Sequence, residues 1–217
     1  MKAFINKYKH AWVLLYGFIY LPWFAHLEKT VTKYHIIHVA LDDYIPFNEY
    51  FVIPYFFWFI YVAGAMIYFF FVNRKDFYKL STFLFTGMTI SLIICTIFPN
   101  GTDFRPAINP DKNIFTHIVA WLYSTDTCTN VLPSIHVYNS IGVHIAVLQS
   151  ETLKKHRGVR IFSGFAMTAI CLSTVFLKQH SVVDGLASIT MAYCMYGLVY
   201  GQAYMYSRRK AAEKALG

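Results

Sequence analysis

Two histidines carry most of the chemistry available to this sequence. His136 ends the run Pro133-Ser134-Ile135-His136, and His180 stands four residues before Asp184. Residues four apart lie on one face of a helix. A carboxylate one turn from an imidazole can hold the ring in one tautomer and raise its basicity, as a histidine nucleophile requires. A second histidine can then protonate a leaving oxygen. Nearby residue types suit a phosphate: Arg105, Lys178, the Ser134 hydroxyl and the backbone N–H groups of a helix beginning at His136. Ser173, Leu177, His180 and Asp184 follow the helical spacing i, i+4, i+7, i+11, with Lys178 and Gln179 as the point where a helix would break. Together these residues form a pattern for phosphoryl transfer without a metal or other cofactor.

The elements that must position them are membrane helices. Of 217 residues, 57% are apolar and 14% charged, with 20 phenylalanines and 17 tyrosines. A soluble domain carries about 25% charged residues, so this composition predicts a polytopic membrane protein. Apolar runs fall at about 11–25, 51–72, 80–98, 136–149, 159–176 and 182–206, with a weaker one near 114–123. At about 20 residues per span they predict an all-α bundle of six transmembrane helices, a single membrane domain over 1–217. The first run follows a basic stretch but precedes Ala25-His26-Leu27-Glu28 and no small-residue cleavage site, so it is expected to be a retained span.

The net charge of +8 does not point to nucleic acid, because the basic residues form short clusters between apolar runs. One side of the predicted bundle collects Lys2, Lys7, Lys9, Arg74, Lys75, Lys79, Lys154, Lys155, Arg157, Arg160, Arg208, Arg209, Lys210 and Lys214. The other side has Lys29, Lys33, Arg105, Lys112 and Lys178 with most of the acids. This asymmetry predicts that both termini are cytoplasmic. It also returns His136 and His180 to the same outer face.

Two outer segments are more than turns. In 26–50, His26, Glu28, Lys29, His35, His38, Asp42, Asp43 and Glu49 alternate with apolar residues, which predicts an amphipathic helix on the outer leaflet. His35 and His38 with those acids are the sharper alternative, a metal site, but their spacing favours it weakly and no metal is expected. From 98 to 135, a density of Pro, Gly and Asn predicts an ordered functional loop. Cys95, Cys171 and Cys194 fall in spans and Cys128 in a loop, so no disulfide framework is legible.

On these residues the chain resembles the membrane type 2 phosphatidic acid phosphatases, or lipid phosphate phosphatases. Arg105-Pro106, Pro133-Ser134-Ile135-His136 and the stretch from Ser173-Thr174 through His180 to Asp184 occupy that family's three motifs in order, over about residues 50–206. The resemblance implies a six-span bundle with His180 as nucleophile forming a phosphohistidine, Asp184 as its partner and His136 as general acid. Arg105, Ser134, Lys178 and Ser173 would hold the phosphate. Phe98 stands where the family has a lysine and Thr174 where it has an arginine. Lys178, one helical turn beyond Thr174, would supply the replacement charge if the helix continues. The run Ser173 to His180, with Ile45-Pro46-Phe47 and Pro54-Tyr55, looks nearer to the inositol phosphorylceramide synthase branch, which transfers to an alcohol.

The expected function is therefore hydrolysis of a lipid phosphate monoester or pyrophosphate at the outer face of a bacterial cytoplasmic membrane. A headgroup phosphotransferase is the first alternative. A non-catalytic lipid-binding or transport protein is the second.

Overall fold

Asn73 sets the first long hairpin. It ends α3 (Val52–Val72) and caps α4 (Arg74–Ile97), its side-chain oxygen accepting from the N–H groups of Lys75 and Asp76 at 3.0 and 3.3 Å while its amide donates to the Asp76 carboxylate at 3.0 Å. Such a cap satisfies donors that a helix start leaves orphaned. The computed structural model describes residues 7–201. Before α3 come a 3₁₀ segment (Lys9–Tyr16) running into α1 (Gly17–Thr30), β1 (His35–Ile36), α2 (Ala40–Tyr44) and a 3₁₀ turn (Glu49–Phe51). After α4 come β2 (Asn100–Gly101), α5 (Ile114–Thr125), α6 (Ile135–Gln149), α7 (Arg157–Phe176), α8 (Val182–Tyr196) and a π turn (Gly197–Gly201).

Four helical stretches are long and apolar enough to cross a membrane: Glu49–Val72 and Arg74–Ile97, each of 24 residues, and Arg157–Phe176 and Val182–Gly201, each of 20. At about 1.5 Å per residue these reach roughly 30–36 Å. The two other expected spans are not among them. The stretch at 11–25 folds as the 3₁₀ segment and α1, with Pro22 inside the helix, and the stretch at 136–149 becomes α6, only 15 residues long. Residues 202–206 of the last expected span, with the predicted basic residues Lys2, Arg208, Arg209, Lys210 and Lys214, lie outside the described residues.

Short as it is, α6 is central. It packs against α3, α4, α7 and α8 and buries Val137, Tyr138, Val143 and Ala146. Two glycines permit the approach. A Cβ on Gly87 of α4 would stand 2.1 Å from the Tyr138 ring, and one on Gly142 of α6 would stand 2.6 Å from Phe83. Tyr138 and Phe83 stack at 4.9 Å, and the Tyr138 hydroxyl donates to the Phe83 carbonyl at 2.8 Å. Outward, Phe59, Ile60, Ile67 and Phe71 of α3 and Phe165 of α7 remain exposed, an apolar exterior suited to lipid.

The segment expected to be one amphipathic helix is broken into α1's end, β1, α2 and the 3₁₀ turn. Here β1 pairs in parallel with β2, His35 against Asn100 and Ile36 against Gly101. Strand pairing wins because the distant Phe98–Ile135 loop supplies backbone partners: His35 N–H donates to Pro99 O at 2.8 Å and Ile37 N–H to Gly101 O at 2.7 Å. Gly101 also bridges to Thr129, and a Cβ there would meet the Cys128 carbonyl at 2.6 Å. All four cysteines are free.

The close approach of α4 and α6 generates a stability prediction. Gly87→Ala should destabilise the protein by about 1–3 kcal/mol, the usual range for overpacking. Gly64→Ala, where a Cβ meets nothing within 4 Å, should be neutral or stabilising. Thermal unfolding in detergent would measure both, and equal midpoints for the two variants would contradict the packing described.

Candidate functional site

The helical spacing of Ser173–Asp184 is interrupted at Lys178 and Gln179, where the sequence marks a break. α7 ends at Phe176, and the next turn places Lys178 in the left-handed region at φ 54°. The carbonyl of Thr174 then accepts from the N–H groups of both Gln179 (3.0 Å) and His180 (3.1 Å). Ser181 restarts the chain as the cap of α8: its hydroxyl accepts from Val183 N–H at 3.2 Å, and Asp184 reaches back to Ser181 N–H at 2.9 Å, completing a capping box. This cap orients Asp184. The carboxylate oxygen that takes the Ser181 N–H also meets His180 Nδ1 at 3.2 Å, and Asp184 is fully buried.

His136 enters from α6. Ser134 caps that helix, accepting from Val137 N–H at 3.5 Å, while its own carbonyl accepts from Ser188 Oγ of α8 at 2.8 Å and its N–H donates to the Asp184 carbonyl at 3.4 Å. The starts of α6 and α8 are thereby fastened side by side. The His136 ring lies 4.5 Å from Tyr55 and 4.5 Å from Trp58, both on α3, and meets the His180 ring at 5.9 Å and 60°.

The residues expected around a phosphate separate into two groups. Arg105 reaches the site: its guanidinium donates to the carbonyls of Asp126 and Thr127, both at 2.8 Å, and to Gln179 Oε1, and it lies over Tyr123 at 4.8 Å. Ser134 is at the site but is occupied by capping. Lys178 and Ser173 are not brought there. With α7 ending at Phe176, the Lys178 ammonium turns to the carbonyls of Asp42 and Ile45, each at 2.5 Å, and lies 5.7 Å from the Phe104 ring. Ser173 Oγ donates to Ile170 O at 2.6 Å inside the helix. At the family's missing cations, Phe98 stacks on His35 at 4.5 Å and Thr174 Oγ1 donates to Cys171 O at 2.8 Å.

A small cavity of about 50 Å³ opens beside the two histidines. Its lining includes Tyr20, Phe24 and Glu28 of α1, Ser91 and Cys95 of α4, Tyr55 of α3, the loop residues Asp126 and Asn130, and Gln179. Four atoms of lining residues are buried without a hydrogen-bond partner: Ser91 Oγ, Asn130 Oδ1, His136 Nδ1 and Gln179 Nε2; Arg105 Nε is a fifth such atom close by. Each would cost about 1–3 kcal/mol if nothing satisfied it, so this concentration calls for a polar occupant, water or ligand. Glu28 closes one side, accepting from Thr127 Oγ1 and Asn130 Nδ2, both at 2.6 Å. Burial pushes the Asp126 carboxyl up from the usual carboxylate range, while the Arg105 guanidinium pulls it back.

Sequence reasoning missed Gln179 as a site residue, Glu28, Asp126 and Asn130 as lining, and Asp42 as a support. Asp42 is buried; its two carboxylate oxygens accept from Val182 N–H at 2.9 Å and Ser181 Oγ at 2.6 Å, so it is a second cap on α8 from a distant segment. Its only signal in the sequence is its place among the polar residues of the 26–50 segment. Among the described residues no group of three or more His, Cys, Asp and Glu is placed to hold a metal ion. His38 instead bridges Asp43 at 2.8 Å and Asp103 at 3.0 Å, one through each ring nitrogen. No family model matches the chain, and no curated protein or solved structure does either.

Two predictions come from the supports. Asp42→Ala leaves Ser181 Oγ and Val182 N–H without their acceptor, so it should cost about 1–3 kcal/mol, whereas exposed Asp111→Ala should cost nothing measurable in the same melts. The second concerns pH. The hydrogen bond that its ring donates to the Asp43 carboxylate raises His38 above the ordinary histidine value of about 6.5. A raised value in the fold means the clamp's contribution is complete below about pH 6.5 and is lost as pH rises through the higher folded value. The stability gap between parent and His38→Ala should therefore be widest in acid and shrink above neutrality; a gap that grows with pH would reverse this assignment.

Proposed function

We propose that the chain is an integral membrane enzyme that transfers a phosphoryl group from a lipid phosphate through a phosphohistidine on His180, without a metal or other cofactor. The observation that carries this reading is the pairing of His180 Nδ1 with buried Asp184 while the His136 ring stands 5.9 Å away. Asp184 fixes the His180 tautomer so that Nε2 carries the lone pair. That nitrogen attacks phosphorus, an N–P bond forms, the bond from phosphorus to the lipid oxygen breaks, and His136 delivers the proton that oxygen needs. In the second half, His136 takes a proton from water, whose oxygen displaces His180 and releases phosphate. Arg105 Nε and Gln179 Nε2, donors without partners, are available to the phosphoryl oxygens.

In this reading six segments cross a bacterial cytoplasmic membrane, both termini inside, and the histidines work at the outer face. The segregation of Lys and Arg supports that orientation. A second reading keeps the phosphohistidine but gives it to an alcohol. Glu28 and Asp126 on the cavity favour it, since carboxylates accept from a hydroxyl.

Different leaving groups test the roles. On a long-chain phosphatidate, His180→Ala and His136→Ala should each lose about 10²–10⁴-fold or more in rate, the usual worth of general acid help. On nitrophenyl phosphate, whose leaving group hardly needs a proton, His136→Ala should keep far more activity than His180→Ala. Phosphate trapped on His136, or a His180→Ala variant at parental rate on the activated ester, would end this mechanism. Phosphate recovered on an added alcohol, with no free phosphate released in its absence, would select the second reading.

A further inference from the structure

At the far end of α6 and α7 the chain builds a groove with the opposite electrical character to the histidine site. It has a volume of about 510 Å³ and is lined by Lys154, Lys155, Arg157 and Arg160 with His144 and Phe165 among the remaining walls. Since α7 rises about 30 Å over its 20 residues, this groove and the histidines lie at opposite ends of the bundle.

Its charges are unbalanced. Lys154 pairs with Glu151, but among the described residues Lys155, Arg157 and Arg160 form no ion pair. The first turn of α7 holds no acidic residue and its cap, His156, makes no side-chain bond to it. A helix start favours negative charge, so two arginines there stand against the helix dipole as well as against each other. An anion seated between them relieves both conflicts. The wall behind is rigid: His144 Nδ1 bonds Ser163 Oγ at 3.0 Å, and the Tyr61 hydroxyl holds the same oxygen at 2.6 Å, tying α6, α7 and α3 together. Gly164 faces His144 at 3.3 Å from where its Cβ would be, so bulk there would press on that wall. Phe165, 73% exposed, continues the groove along the apolar face of α7.

We infer that this groove binds the phosphate of an anionic glycerophospholipid in the leaflet facing the α6–α7 turn, with an acyl chain along Phe165. The match is one of charge and shape together. Arginine forks grip phosphate oxygens bidentately, and the apolar strip beside them seats a chain that a free anion does not have. The inference rests on the membrane-spanning helices and not on the reaction assigned to the histidines.

Native mass spectrometry of the full chain in detergent tests it, with dioleoyl phosphatidylglycerol, dioleoyl phosphatidylcholine and inorganic phosphate as probes. The parent should retain phosphatidylglycerol at least fivefold more than phosphatidylcholine. Arg157→Gln with Arg160→Gln should remove that preference, while Lys9→Gln with Lys75→Gln, the same charge loss elsewhere at this end, should preserve it. Equal loss in both double variants would mean diffuse charge attraction and overturn the site. Absence of any preference in the parent would do the same, and this result needs no variant to fold. Displacement of the lipid by millimolar inorganic phosphate would overturn the lipid as occupant and make the groove a free-anion site.

Discussion

The carboxylate of Asp42 binds the polar segment around α2 to the start of α8, and the geometry of the histidine site follows from it. A helix start presents several N–H groups without partners, and where the start is buried water cannot be relied on to take them. Ser181 and Asp184 satisfy two by a capping box, and Asp42 reaches in from a segment about 140 residues earlier to take Val182 N–H and the Ser181 hydroxyl. The same segment receives the Lys178 ammonium on its carbonyls. That cation is thereby committed to holding the short turn in which Lys178 adopts a left-handed backbone. The turn in its place points His180 toward His136. An uninterrupted helix would carry His180 and Asp184 on one continuous face and leave Asp42 nothing to cap.

Much of the scaffold was legible because it depends on local composition. The apolar runs at 51–72, 80–98 and 159–176 correspond to α3, α4 and α7, since a stretch of that length and hydropathy has few alternatives to a helix. The i, i+4 relation of His180 and Asp184 survives because both belong to the turn that starts α8. What was not legible depends on partners far away in sequence. The amphipathic pattern of 26–50 gave way to strand pairing with 100–101, which no periodicity in 26–50 announces. Lys178 was read as a free cation because its acceptors, the carbonyls of Asp42 and Ile45, have no side-chain signature. The six-run count presumed that every apolar run is span-length, yet α6 reaches its place by burial among four helices, with glycines at 87 and 142 making the room.

Charge is distributed unevenly between the two ends of the bundle. At the histidine end Asp42, Asp126, Asp184 and Glu28 crowd the site, and the cations near them are already engaged: Lys178 with carbonyls, Arg105 with two carbonyls and Gln179. At the other end Lys155, Arg157 and Arg160 have no carboxylate partner among the described residues. A dianionic phosphate entering the histidine site would therefore not find a ring of free cations. It would find one cation already held in place, Arg105 with its Nε–H unpartnered, together with the Gln179 amide and the histidines themselves.

Such an arrangement has a physical logic in a buried site. A lysine left unpaired in an apolar site carries a desolvation cost of several kcal/mol, whereas an amide or a guanidinium already held by carbonyls needs little further rearrangement when a ligand arrives. Holding Arg105 through two backbone carbonyls and Gln179 aligns its Nε–H beforehand, and holding Gln179 through Arg105 leaves its Nε2, on a residue that lines the cavity, without a partner. The neutral side chain at 179 is therefore a coherent partner for the positive one at 105. A second cation at 179 would be repelled by that guanidinium and would remove the acceptor that orients it.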